Sequence, residues 1–202
     1  MKRLVTLALL SVLISNTSGM AGEKQFKIDP VHSSVQFRIR HLYSAVVGRF
    51  NRFEGTIAGD PEKPETLRVT ASVDITSVDT ANADRDKHLR AQDFFDTERY
   101  ASATFTSVKT TLGDKKDSAL VTGRLASHGV EKEIVFSTRF LGSGTDPRGS
   151  NHAGFYAVAT INRVNFGVAY GATATNGIPP LGAEVELILD LDAVEVKPEG
   201  ES

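Results

Sequence analysis

The stretch Leu67-Arg68-Val69-Thr70-Ala71-Ser72-Val73-Asp74-Ile75 alternates apolar and polar side chains at every step. A period of two belongs to a β-strand, whose successive side chains point to opposite faces. One face of this segment is therefore built for a core and the other for water. The same period recurs at Val35-Gln36-Phe37-Arg38-Ile39-Arg40, around Phe105 and Val108, and over 120–125, 134–141 and 156–161. It returns near the end of the chain, where Val185, Leu187, Leu189 and Leu191 stand opposite Glu186, Ile188, Asp190 and Asp192.

Turn residues separate these runs. Gly59-Asp60-Pro61 and Gly113-Asp114 are turn sequences, and His128-Gly129 between two β runs predicts a tight hairpin. Gly142 to Ser150 reads as a longer polar loop, and Ile178-Pro179-Pro180 interrupts the chain before the last strand. One segment departs from the β pattern. Thr80 to Arg90 is charged and helix-compatible, with Thr80 as N-cap and with Asp84/His88 and Asp86/Arg90 spaced i, i+4. Asp93-Phe94-Phe95-Asp96 reads as a second short helical turn. About eight strands with one or two helical inserts give an all-β fold, a barrel or a sandwich.

Alternation alone fits two barrels, one apolar inside and one apolar outside. The charged tail Lys197–Ser202, the helical insert and the absence of Trp for aromatic girdles favour the apolar-inside form. Such a barrel is either filled by its side chains or holds one ligand.

The N-terminus reads as an address. Lys2 and Arg3 precede an apolar run from Leu4 to Ile14, and Gly19-Met20-Ala21 supplies small residues for cleavage. The run is too short to span a bilayer, so residues 1–21 are expected to be a cleaved secretory signal and 22–202 the mature domain. Removing Lys2 and Arg3 takes the formal charge from −2 to −4, which argues against general nucleic-acid binding. The chain has no cysteine, which excludes thiol catalysis, cysteine zinc sites and iron–sulfur clusters. No second long apolar segment follows, so no stable membrane span is expected.

No catalytic or metal-ligating constellation stands out. The five histidines, His32, His41, His88, His128 and His152, form no spaced metal pair, and no nucleophile elbow or phosphate loop is present. Arg85, His88 and Arg90 form a local basic cluster. It reads either as a clamp for a polar head group or as ion pairing with Asp84, Asp86 and Asp93, and the residues alone favour the pairing. Phe94-Phe95 reads either as core or as a pocket entrance, and spacing favours core.

A resemblance adds to this. Asp29-Pro30-Val31-His32-Ser33-Ser34-Val35-Gln36-Phe37, then His41, Gly48-Arg49-Phe50 and Phe53-x-Gly55, resemble the N-terminal signature of the YceI-like family. Arg85-Asp86-x-His88-Leu89-Arg90-x-x-Asp93-Phe94-Phe95-Asp96 resembles its central motif. Gly123-x-Leu125 with His128-Gly129-Val130, and Ile161-Asn162-Arg163-x-x-Phe166-Gly167, resemble its later motifs. Val164-Asn165 and Ala91-Gln92 depart from the residues more common there. The resemblance implies an extended eight-stranded antiparallel lipocalin-like barrel with a helical insert, in a periplasmic protein. It implies an isoprenoid-type ligand (polyprenyl lipid, isoprenoid quinone or fatty amide) in place of a catalytic cofactor. On that reading Phe37, Ile39, Phe50, Phe53, Leu89, Phe94, Phe95, Phe105, Phe136 and Phe166 are expected as apolar lining. Arg85, His88 and Arg163 are expected as polar contacts. Transient membrane contact and a homodimer are further expectations. Two other functions stay open: an enzyme acting on a polyprenyl phosphate-like amphiphile through Arg85 and His88, and a ligand-free stress or structural protein.

Overall fold

Each alternating run forms a strand, and every pairing between strands is antiparallel. The computed structural model describes residues 24–173 and 177–197; the segment read as an export signal, residues 1–21, lies outside them. The strands are β1 (Gln25–Ile28), β2 (Ser34–His41), β3 (Ser44–Phe50), β4 (Phe53–Ala58), β5 (Arg68–Asp74), β6 (Val78–Asp79), β7 (Ser102–Leu112), β8 (Ser118–Ser127), β9 (Val130–Thr145), β10 (Asn151–Asn162) and β11 (Leu181–Glu195). One helix, α1 (Ala83–Arg90), lies between β6 and β7.

The sheet closes on itself in the order β1, β4, β5, β7, β8, β9, β10, β11, with β11 pairing back to β1. Further along β11, β2 takes over from β1, with β3 on β2 and β6 on β3. The pairs β1/β2, β3/β4 and β5/β6 thus act as three long strands with a break in each. The result is the expected eight-stranded antiparallel barrel, and closure leaves no long free edge.

The breaks have local causes. Pro30 has no N–H for a ladder, and the Asp29 carboxylate accepts from the Val31 N–H at 2.8 Å to form a tight turn. Asp74 caps the 3-10 turn Ile75–Ser77 by accepting from the Thr76 N–H at 2.8 Å. The Ser77 hydroxyl accepts from the Arg52 N–H at 3.0 Å, so the breaks in β3/β4 and β5/β6 hold each other.

Four local expectations are corrected. Asn82, not Thr80, caps α1, accepting from the Arg85 N–H at 3.0 Å. Thr80 is instead drawn inward by Asp86, which accepts from its N–H at 2.9 Å and its hydroxyl at 2.6 Å. Asp86 is therefore no partner for Arg90, which donates to the carbonyls of Thr76 and Val78, while His88 meets Asp93 at 2.9 Å. Residues 93–96 form turns rather than helix. The ladder of β9 continues to Thr145, so the loop read over 142–150 shrinks to 146–150.

The apolar rows point inward, and Arg38, Arg40, Arg68 and Thr70 lie exposed outside. This is the apolar-inside form. One end of the barrel is solid. There Phe26, Ile28, Ile57, Leu67 and Phe155 pack with Ala153 and Ala193, a cross-strand pair with no solvent exposure. The opposite end carries α1 and the long connection after β10.

A charged latch ties the solid end together. His152 on β10 bonds Asp192 on β11 at 2.7 Å and lies 3.6 Å from Asp146 in the β9–β10 turn. The bond to Asp192, reinforced by both negative charges, raises the His152 pKa above its ordinary value. A raised folded-state pKa contributes stability that is fully present below the unfolded value of about 6.5 and is lost as the pH rises through the folded value. Thermal melting of the wild type is therefore expected to fall on going from slightly acidic to slightly alkaline buffer. In His152→Gln that part of the pH dependence should vanish; an unchanged pH profile would remove the latch from the account.

Candidate ligand-binding cavity

Above the solid end the barrel is hollow. The cavity measures about 600 Å³, within the range of small-molecule sites. Its floor is formed by Ile28, Ile57, Leu67 and Phe155, from the packed end. Its middle is walled by Phe105, Val121, Phe136 and Ala157, with the Phe105 and Phe136 rings edge to face at 5.3 Å. Its upper part is walled by Phe37, Ile39, Phe50, Leu89 and Phe95, where the Phe37 and Phe50 rings lie 5.6 Å apart.

All thirteen residues singled out in the sequence lie on this wall. The strands supply Phe37, Ile39, Phe50, Phe53, Phe105 and Phe136. Helix α1 supplies Arg85, His88 and Leu89, the turns after it Phe94 and Phe95, and the 3-10 turn Arg163–Phe166 supplies the last two. Phe94-Phe95 thus serves both readings, packed against the core and facing the space. Sequence reasoning missed Ala71, Ala103 and Ala157, which also line it. Their small size leaves the interior open, but single alanines in alternating runs carry no signal until strand register places them on one side. It also missed Tyr170, whose ring sits 4.7 Å from Phe94 and 4.8 Å from His88 at the mouth.

The polar groups are held from behind. The Thr80 hydroxyl donates to Asp86 and accepts from Arg85 Nε at 2.7 Å, and Arg85 Nη2 donates to the Thr80 carbonyl at 2.7 Å. Asp86, itself buried, thereby fixes both the start of α1 and the Arg85 side chain. Removing it leaves two Thr80 donors unpaired, so Asp86→Ala is expected to cost about 2–3 kcal/mol of stability. Urea denaturation checks this, and a loss below about 0.5 kcal/mol, the size of an ordinary surface substitution, would deny Asp86 the anchoring role.

Arg163 is the most unusual group on the wall. It is only 5% exposed. Its Nε donates to the Gly182 carbonyl at 2.8 Å and its Nη1 to the Val168 carbonyl at 2.7 Å. Its Nη2 is buried and without a hydrogen-bond partner. Among the described residues no carboxylate forms an ion pair with it, and burial lowers its pKa from the ordinary value. Buried polar groups are normally satisfied, so this unpaired donor marks Arg163, a residue of the cavity wall, as an exception. Behind it the motifs around His128 and Phe166 meet. His128 Nδ1 lies 3.1 Å from the Phe166 carbonyl, and a Cβ on Gly167 would come within 3.0 Å of the same ring nitrogen.

Sequence and structure comparisons agree with this architecture. The YceI-like domain matches residues 26–193. A UPF0312 protein of Pectobacterium atrosepticum is 37% identical over 198 residues, covering 97% of this chain and 98% of that one. The crystal structure of the Campylobacter jejuni YceI protein superposes with a TM-score of 0.68 at 31% identity, over 79% of this chain and 91% of that one. A polyisoprenoid binding domain from Saccharophagus degradans, implicated in plant cell wall breakdown, shares the fold with a TM-score of 0.61 at 17% identity, over 85% of this chain and 98% of that one. Closed barrel, helix-bearing mouth and a match over nearly all described residues together place the chain in the YceI-like family.

Proposed function

We propose that this protein is an exported lipid-binding protein that holds one long isoprenoid-type chain in its barrel, for carriage or storage in the periplasm. The observation that carries the reading is the cavity itself: a hollow of about 600 Å³, walled almost wholly by apolar side chains and floored at one end. A prenyl chain gains about 0.8 kcal/mol for each CH₂ taken out of water, so a tube of this kind needs no further chemistry to bind one. Arg85, His88 and Arg163 on the wall are the polar side chains available to an acceptor-bearing head group such as a phosphate or a quinone carbonyl. The structurally similar S. degradans domain, named for polyisoprenoid binding, supports the ligand class. The signal-like residues 1–21 support export. The reading is of a binder rather than an enzyme: Arg85 is tied to Thr80 and Arg163 to backbone carbonyls, an arrangement suited to holding a head group.

Native mass spectrometry of protein recovered from the periplasm tests it. One lipid per chain is expected, released by organic extraction. Protein that emerges lipid-free and also fails to take up geranylgeraniol would overturn the reading.

A further inference from the structure

The hairpin joining β2 to β3 is built unlike an economical turn. His41 pairs with Ser44, which leaves Leu42 and Tyr43 as a two-residue loop. Such loops favour Gly, Asn or Asp, because at least one central residue needs a positive φ. Here that residue is Leu42, at φ +49°. The other non-glycine residues with positive φ among the described residues are Ala81, Asp96 and His128, none of them a large apolar side chain. Tyr43 beside it is 88% exposed. A disfavoured backbone state spent on displaying two large side chains to solvent points to a use for them.

At the tip both backbone groups of Leu42 are hydrogen-bonded. The Leu42 N–H donates to the Pro180 carbonyl at 3.0 Å. Arg40 Nη1 donates to the Leu42 carbonyl at 2.8 Å, and both its Nη1 and Nη2 reach the Pro179 carbonyl at 3.2 Å. These bonds bring exposed Ile178 alongside the tip, and Pro180 and Leu181 continue into the cavity wall. Tyr170, next to Gly171 whose carbonyl accepts from Leu181, is half exposed at the same mouth.

We infer that this rim docks reversibly on a lipid bilayer, with Leu42 and Tyr43 entering the interfacial layer. Three features select a membrane over a protein. A few side chains fall well short of the roughly 800 Å² per partner that a stable protein interface buries. The Leu42 N–H and C=O are bonded within the protein, so this apolar residue can enter a low-dielectric layer without stranding them. Tyrosine, with an apolar ring and a polar tip, suits the interface, and the exposed Arg40 lies at the level of lipid phosphates. The patch is continuous with the cavity mouth, so a chain leaving the bilayer there would cross little water. This inference rests on the lipid-binding reading above.

The test uses the full mature chain, vesicles of phosphatidylethanolamine and phosphatidylglycerol, and the double variant Leu42→Gly/Tyr43→Asn, which supplies turn residues matched to the positive φ. The wild type should co-sediment with vesicles and extract geranylgeraniol from them. The variant should melt at the same temperature or higher, and its vesicle binding should fall at least about tenfold, the loss expected when burial of one large side chain is forfeited. Its uptake of geranylgeraniol from dilute ethanol solution should match the wild type. Equal vesicle binding by both proteins, or none by the wild type, overturns the docking site. So does a wild-type dimer that the variant loses, which would assign the tip to a second copy. Failure of the wild type to take up the alcohol from solution would instead overturn the lipid-binding reading.

Discussion

Ala157→Trp is expected to abolish most binding of a prenyl chain while leaving the barrel folded. Ala157 sits on β10, paired with Thr138 on one side and Leu189 on the other, and its side chain helps enclose the middle of the cavity beside Phe105 and Phe136. An indole there projects into space that is open in the protein, so it escapes most of the 1–3 kcal/mol that overpacking costs in a filled core. If it displaces three or four methylenes of ligand, at about 0.8 kcal/mol each, affinity falls by about 2.5–3 kcal/mol, roughly a hundredfold. The chain has no tryptophan, so the new residue is also its own reporter. Its emission should be blue-shifted, as for a buried ring. Thr160→Trp, at an exposed position on the same strand, provides the control and should bind as the wild type does. Undiminished binding in Ala157→Trp would show that the chain lies elsewhere.

The second large effect is on stability. A Cβ on Gly123 would stand 2.3 Å from Phe105 Cζ and 2.6 Å from the Thr106 carbonyl oxygen. The Phe105 ring lies across the glycine on the neighbouring strand, and both ring and backbone would have to move. Gly123→Val is therefore expected to cost about 3 kcal/mol, a drop in melting temperature of roughly 6–12 °C for a domain of this size. Displacing Phe105 from its contact with Phe136 should also disturb the cavity. Gly144, on β9, has open space where its Cβ would stand, and Gly144→Ala should change stability by less than about 0.5 kcal/mol. Equal behaviour of the two variants would mean that the close ring–glycine contact carries no weight.

Much of the wall was legible because aromatic residues in alternating runs, and beside the motifs, have few places to go. Phe37, Phe105 and Phe136 fall on inward rows by period alone. What escaped notice was small or local. Thr80 looked like a helix cap because a hydroxyl before a charged run usually is one. Here the Asp86 carboxylate competes for it, and only the packing of α1 against β6 shows which bond forms. Gly142–Thr145 looked like loop because glycine and serine weaken a strand signal, yet pairing with β10 holds these residues in the ladder. The basic cluster looked like surface ion pairing. His88–Asp93 is such a pair, whereas Arg85 turns to Thr80 at the cavity mouth.

The sequence by itself determined seven of the strands, their apolar faces and the family, because a two-residue period and a set of ordered motifs are properties of the local chain. Only the tertiary structure decided that the barrel is hollow, closed at one end and open under α1. Empty volume depends on which inward residues come level across neighbouring strands. Ala157 borders the space because register sets its small side chain level with the Phe105 and Phe136 rings, which pack edge to face. The isolation of Arg163 is likewise a tertiary fact, since the fold turns its guanidinium to the Val168 and Gly182 carbonyls and, among the described residues, to no carboxylate. Sequence position shows that the charge exists; only the fold shows that it is buried with no counter-ion among the described residues.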